Sequence, residues 1–182
     1  MSVASRRLWV YMSMVLTSDL FLIQVRSALM ARVFVYGSLK KGQPNYRYVL
    51  DRNNGKAEFL GTAVTNQRYP LVIATKYNIP FLLNLPGKGQ RVHGELYQVD
   101  TKMLKYLDDF ECIPTQYQRT VVDLEIKEWA GNREEKPPGS QTEAFVYSTT
   151  TYQPDWLSLP TYENYDAYGD HGLKFTLRED RH

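Results

Sequence analysis

The sequence is poor in the residues that staple or metallate a fold. Its 182 residues include one cysteine, Cys112, and three histidines, His93, His171 and His182. One cysteine excludes an internal disulfide and fits a reducing compartment, so a cytoplasmic setting is expected. One thiol and three scattered imidazoles give no zinc-ligand spacing, and a structural metal is not expected. Long apolar runs are also missing. The stretch over residues 8–17 ends before Asp19, and a second piece covers only residues 20–25, too short and interrupted to span a bilayer. Nor is there an excess of one charge. Lys+Arg number 22 and Asp+Glu 20, a net charge of +2, and residues 31–182 carry 19 of each sign. A neutral body lacks the clustered cations that phosphate binding needs, which excludes nucleic acid as the main partner.

What is present fits one soluble domain with a sizeable core. The apolar fraction is 43% and the charged fraction 23%. The 14 tyrosines stand out, since such side chains line packed surfaces and small-molecule pockets. Residues 1–30 read apart from the rest: Arg6 and Arg7 precede an apolar stretch, the charge order of a signal peptide, without a small-x-small cleavage site. They are expected to be an extension, with Met30 close to the ancestral start; a targeting segment or membrane-adjacent anchor is the other reading. The domain proper is expected over residues 31–182.

Within it, the runs at 31–36, 69–73, 80–85, 92–99, 119–126 and 144–147 read as strands. The slip in alternation at Gly94 points to a bulge there. Asp100 and Thr101 offer an N-cap for a helix running to about Cys112, closed by Pro114. Residues 130–141 read as a solvated loop, and the tail from Thr151 should wrap the body. There is no internal repeat. Many strands and one clear helix predict an α+β fold with a curved or closed sheet.

Two places carry candidate chemistry. On a helix over 100–112, Met103, Leu104, Tyr106, Leu107 and Phe110 share a face. Glu111 falls among them, Asp109 points the other way, and Asp108 sits at the edge. A carboxyl on the apolar side loses hydration, its pKa rises toward neutrality, and it becomes a fit general acid or base. Pattern alone leaves another reading open, in which Glu111 frays out at the helix end or pairs with Arg119. The second place is Tyr36, Gly37, Ser38 and Leu39, directly after a buried strand. Gly37 permits close approach to the backbone, and successive N–H groups make an anion-binding concavity; an ordinary strand-ending turn is the competing reading. This is neither a phosphate loop nor a nucleophile elbow. Cys112 reads as a buried inert thiol, His93 as a packing or edge residue, and His171 as part of a turn.

The ordered set is more specific than its parts. The segments Val33-Phe-Val-Tyr-Gly-Ser-Leu-Lys-Lys-Gly-Gln-Pro-Asn45, Tyr69-Pro-Leu-Val-Ile73, Asn78-Ile-Pro80, Leu85-Pro-Gly87, Gly94-Glu-Leu-Tyr97, Leu107-Asp-Asp-Phe-Glu111, Tyr117-Gln-Arg119 and His171-Gly-Leu173 resemble the gamma-glutamylcyclotransferase-like family. Within it they are similar to the gamma-glutamylamine cyclotransferase branch. The resemblance spans roughly residues 32–181. It implies a small mixed β-barrel flanked by helices, with a cavity at one end. It implies cyclisation of a γ-glutamylamine, preferably γ-glutamyl-ε-lysine left from transglutaminase cross-links, to 5-oxoproline and a free amine. By position it gives Glu111 as the catalytic acid/base and Tyr36, Gly37, Ser38 and Leu39 as the substrate-binding loop. Trp156, His171 and the mouth tyrosines are expected to bound the amine pocket. The reaction so implied needs no metal or cofactor; the expected partner is a small molecule, no stable membrane span is expected, and a monomer is favoured although the sequence does not fix the oligomeric state. Cyclotransfer from γ-glutamyl amino acids or glutathione, and a non-catalytic binding protein of the same fold, are the alternatives.

Overall fold

Three consecutive core residues set the frame. Val33, Phe34 and Val35 are all buried, so their strand is dry on both faces, as its unbroken apolar run predicts. The computed structural model describes residues 30–131 and 136–181. The expected extension before Met30, and residues 132–135 of the loop expected at 130–141, lie outside the described residues. In chain order the elements are β1 (Met30–Val35), a short helix α1 (Tyr46–Leu50), β2 (Ala57–Thr65), β3 (Leu71–Ala74), β4 (Ile79–Leu82), β5 (His93–Asp100), helix α2 (Thr101–Phe110), β6 (Gln118–Trp129) and β7 (Gln141–Ser148).

Five of these strands close into a barrel in the order β1-β5-β2-β6-β7. β2 pairs antiparallel with β5 and β6, and β6 with β7. β1 completes the ring by lying parallel to β7, with Val33 opposite Phe145. Closure removes the sheet edges that would otherwise present unpaired backbone. β3 and β4 form a separate antiparallel hairpin, both strands wholly buried. This is the mixed α+β barrel flanked by helices that the family resemblance implies. Among the described residues, no helix is long and apolar enough to cross a membrane.

Helix α2 starts where the sequence places it. The Asp100 carboxylate accepts the Met103 N–H at 2.8 Å, an N-cap that satisfies an otherwise orphaned donor. Met103 and Leu107, one turn apart, are buried, while Leu104, Tyr106 and Phe110 pack partly buried against the core. The helix ends two residues earlier than expected, at Phe110. Cys112 has φ +54°, its N–H reaches Asp109 O at 3.2 Å, and the Ile113 N–H reaches Asp108 O at 3.1 Å. That is a Schellman turn with a cysteine in the left-handed position usually taken by glycine.

Three further expectations are corrected. The strand β2 has no counterpart in the reading of the sequence, because its pattern is broken by Gly61 and only half of its positions are apolar. Helix α1 is a single five-residue turn, too short for a period to show. The bulge expected at Gly94 lies instead in β2, where the register shifts between Phe59 and Gly61; Gly61 has φ +149°. Gly94 pairs regularly with Ala63. A Cβ there would lie 2.5 Å from Val35 O and 2.6 Å from the Phe34 ring, so this glycine lets β1 press against β5.

The tail from Thr151 does wrap the body. The Tyr162 N–H bonds Leu71 O at 2.9 Å, the His93 N–H bonds Glu163 O at 2.7 Å, and the Thr176 N–H bonds Tyr77 O at 3.0 Å. Tyr165, Ala167 and Phe175 are buried beneath it. The close fit at Gly94 gives a test: Gly94→Ala should destabilise folding by about 2–3 kcal/mol, since the obstructing atoms are backbone and ring. Urea denaturation should show the midpoint falling with an unchanged slope.

Candidate active site

Where β1 ends, the chain turns sharply over Tyr36–Asn45 and one wall of a pocket forms. The Lys40 N–H bonds Gly37 O at 3.1 Å and the Asn45 N–H bonds Ser38 O at 2.9 Å. Asn45 Nδ2 donates to Ser38 Oγ at 2.9 Å, which leaves the Ser38 hydroxyl proton to donate elsewhere. The N–H groups of Ser38 and Leu39 have no protein acceptor among the described residues. Gly37 serves packing as well as access: a Cβ there would sit 3.0 Å from Pro80 Cγ, so its absence lets β4 close on the loop.

The pocket has about 620 Å³ of open space, counting its mouth. Tyr36, Gly37, Ser38, Leu39 and Glu111, read from the sequence as separate candidates, all line it. Around them stand Asn45, Pro80, Gln116, Tyr117, Tyr147, Arg178 and Arg181. The tyrosines are fixed rather than loose. Tyr36 OH donates to Tyr147 O at 2.8 Å and accepts the Leu82 N–H at 3.3 Å. Tyr117 OH donates to Pro80 O at 3.0 Å, and Tyr147 OH donates to the Asp108 carboxylate at 2.8 Å. Asn45 is only 3% exposed, and its Oδ1 has no hydrogen-bond partner among the described residues.

Glu111 caps the C-terminus of α2, its N–H bonded to Leu107 O at 2.8 Å. The Schellman turn at Cys112 then swings the chain away and leaves the carboxyl in the pocket wall. Burial pushes its pKa up from 4.5 to about 7, and the positive charges of Arg178 and Arg181 hold the rise back. Its phenol neighbours shift too. Tyr36 and Tyr117 rise well above the ordinary phenol value, through burial first; the Glu111 charge adds to the rise, at Tyr117 after that of Tyr36. The pocket thus holds a carboxyl poised near neutrality among phenols that stay protonated.

The neighbouring acids separate cleanly. Asp109 is exposed and pairs with Lys105 one turn back at 3.1 Å. Asp108 is half-buried, pairs with Arg119 of β6 at 2.5 Å and accepts from Tyr147 of β7. Arg119, the partner proposed for Glu111 in the competing reading, is therefore engaged by Asp108. It ties the end of α2 to the barrel. The tail reaches the pocket through Arg178 and Arg181; Trp156 and His171 are not in its wall. Trp156 packs on Phe81 at 4.6 Å between ring centres, and His171 staples its own turn through Asp166 O and the Leu173 N–H. Cys112 is half-buried beside Arg178 rather than enclosed, and His93 is exposed on β5.

The fold and this pocket have known counterparts. A family model described as gamma-glutamyl cyclotransferase, AIG2-like, matches residues 33–167. The chain belongs to that family. It is a cyclotransferase. Gamma-glutamylaminecyclotransferase C of Danio rerio is 60% identical over 149 residues, covering 82% of this chain and 95% of that protein. Gamma-glutamylaminecyclotransferase of Rattus norvegicus is 52% identical over 152 residues, covering 84% of this chain and all of the relative. The crystal structure of an AIG2-like protein from Mus musculus superposes with a TM-score of 0.77 at 51% identity, covering 84% of this chain and 99% of that one. The relatives carry the branch name that the motifs indicated.

Asp108 and Asp109 give opposite expectations. Asp108→Asn should cost about 1–3 kcal/mol, because the half-buried Arg119 loses its charged partner. Asp109→Asn should stay within about 0.5 kcal/mol, as exposed ion pairs contribute little. Urea denaturation of both variants at pH 7 separates them; a comparable loss at Asp109 would contradict the helix phase.

Proposed function

We propose that this cyclotransferase closes γ-glutamylamines, preferably γ-glutamyl-ε-lysine, into 5-oxoproline with release of the free amine, here lysine. Such isopeptides remain when transglutaminase cross-links are proteolysed. We assign the chemistry to residues 31–182 and, from the single free cysteine, to the reducing cytoplasm. The observation that carries the reading is the carboxyl of half-buried Glu111, desolvated to a pKa near neutrality, in one pocket with the Tyr36–Leu39 loop.

The substrate's α-nitrogen attacks its own γ-carbonyl carbon. One C–N bond forms, giving a five-membered lactam, and the isopeptide C–N bond breaks. The nucleophile is tethered, so the protein's task is to fold the glutamyl chain into attack geometry, which contributes several kcal/mol. On becoming a lactam N–H the α-ammonium sheds two protons. The departing nitrogen takes up two on leaving as an ammonium. Glu111 carries them across and ends as it began, which a pKa near the working pH serves in both directions. The N–H groups of Ser38 and Leu39 and the Ser38 hydroxyl are donors for the carbonyl oxygen as it gains charge. Tyr36 and Gly37 hold that loop in place.

The test is an assay of γ-glutamyl-ε-lysine, γ-glutamyl-alanine and glutathione in parallel, following 5-oxoproline and released amine. Turnover of the lysine adduct is expected. Preference for one of the other two substrates would reassign the substrate class. No turnover by folded protein would make this a binding protein. Glu111→Gln should lower kcat by about 10²–10⁴-fold.

Because the base form is needed, activity should rise with pH to a midpoint near 7 and level off above it, and Glu111→Gln should lack that limb. The phenols of Tyr36, Tyr117 and Tyr147, all pushed up by burial, stay protonated across this range. The same shift predicts stability. Glu111 binds its proton more tightly folded than unfolded, so its contribution is full below pH 4.5 and lost as pH rises through about 7. At about 1.4 kcal/mol per pH unit, the ionised carboxylate costs about 3 kcal/mol at pH 8. Glu111→Gln should therefore raise Tm at pH 8 and leave it nearly unchanged at pH 4, by calorimetry.

A further inference from the structure

The tail delivers two guanidinium groups to the Glu111 pocket, and neither is neutralised there. Arg178 lies in the 3-10 turn Arg178–Asp180, and Arg181 caps that turn. Both line the pocket. Among the described residues neither forms an ion pair with a carboxylate. Two acids lie between them in sequence: Glu179 pairs with Arg47 at the surface at 2.5 Å, and the exposed Asp180 forms no ion pair with either arginine among the described residues.

Each guanidinium is anchored on a backbone carbonyl and keeps donors to spare. Arg178 Nη2 donates to Phe110 O at 2.6 Å, capping the end of α2, and the group lies over the Phe110 ring at 4.3 Å. Arg181 Nε donates to Thr176 O at 3.1 Å, with the Phe175 ring 5.3 Å away. A guanidinium has five N–H donors in a planar fork that matches a carboxylate. Burial and the like charge of Arg178 both lower the Arg181 pKa, so the pair stands at an electrostatic cost with no anion between. The acid they act on is Glu111, which is half protonated near pH 7 and makes no ion pair with either. Two full positive charges thus face less than one negative charge across a pocket with room for a ligand.

We propose that Arg178 and Arg181 form a carboxylate-binding subsite that holds a carboxylate of the γ-glutamyl substrate. The proposal rests on the cyclotransferase reading above and deepens it, since it selects substrates by a charge remote from the bond that breaks. Two carboxylates share this chemistry. The α-carboxylate of the glutamyl half is present in every γ-glutamyl substrate. It sits on the carbon that bears the attacking nitrogen, so its capture would also fix that nitrogen near Glu111. The carboxylate of the leaving amine is present in γ-glutamyl-ε-lysine and absent from the adduct of cadaverine, which is lysine without its carboxylate.

The experiment compares wild type, Arg181→Met and Arg181→Lys on γ-glutamyl-ε-lysine and γ-glutamyl-cadaverine. Arg181→Met should raise KM about tenfold or more with kcat changed far less, and Arg181→Lys should restore part of the loss. A KM rise on both substrates identifies the glutamyl carboxylate; a rise on the lysine adduct alone identifies that of the leaving amine. An unchanged KM on both, or a fall in kcat at constant KM, overturns the subsite. If the wild type turns over neither substrate, the cyclotransferase reading fails on its own, and calorimetric titration with glutarate still decides the subsite. Binding by wild type that is lost in Arg181→Met supports it, and no binding by wild type refutes it.

Discussion

A strand buried on both faces must also satisfy the backbone polar groups along both of its edges, and β1 does so by lying between two other strands. Val33, Phe34 and Val35 leave no side of it suited to water. Lying between β5 and β7, it turns an open sheet into a closed barrel, and the parallel pairing at Val33 and Phe145 is the seam. The site depends on that seam. The residue after β1 is Tyr36, whose hydroxyl is bonded to β7 through Tyr147 O and to β4 through the Leu82 N–H. The loop that follows is held at the barrel end by three elements at once. Gly94 belongs to the same constraint, because β1 can press against β5 only where no Cβ intervenes.

The acidic side of the pocket is built by a second, weaker device. A helix C-terminus exposes carbonyls that want positive charge, and Arg178 supplies it at Phe110 O. Glu111 is the next residue, so the group that finishes the helix also tempers the carboxyl beside it. The Asp108–Arg119 pair and the Tyr147 hydroxyl fix the same helix end against β6 and β7. Glu111 can then stay half-buried, its carboxyl desolvated, without an ion pair of its own, a condition that costs stability and keeps its pKa near 7.

Much of this was legible in the sequence where a local rule governs. The strand before Tyr36, the Asp100 cap and the phase that separates Glu111 from Asp109 all follow from periodicity and capping. So did the gathering of interest at Tyr36–Leu39, although its joining to Glu111 in one cavity is a tertiary fact that only the family resemblance anticipated. What was missed has a physical reason in each case. β2 carries a bulge that breaks its alternation. Helix α1 is one turn long. The helix end came early because Cys112, not glycine, took the left-handed position. Arg178 and Arg181 lie in a tail where Trp156 and His171 are the stronger local signals. Two arginines in a mixed-charge stretch look like solvated surface until the chain wraps them over a helix end some 70 residues away.

That wrapping explains how a site of this kind is assembled from distant segments. Intramolecular cyclisation asks little of the protein in covalent chemistry and much in geometry: a flexible substrate chain must be bent and its nitrogen freed of a proton. Bending needs fixed walls, and the tyrosines with tied hydroxyls provide them. Freeing a proton near neutral pH, the role proposed for Glu111, needs a carboxyl kept from becoming a strong acid, and desolvation at the end of α2 does this. The two demands conflict over the arginines. Moving them into ion-pair contact with Glu111 would stabilise the fold and return its pKa toward 4.5. Removing them would take away the charge proposed to hold the substrate's carboxylate. The arrangement found, with both guanidiniums in the wall, acting on Glu111 without pairing to it and anchored on backbone carbonyls, satisfies both demands at a cost in folding stability.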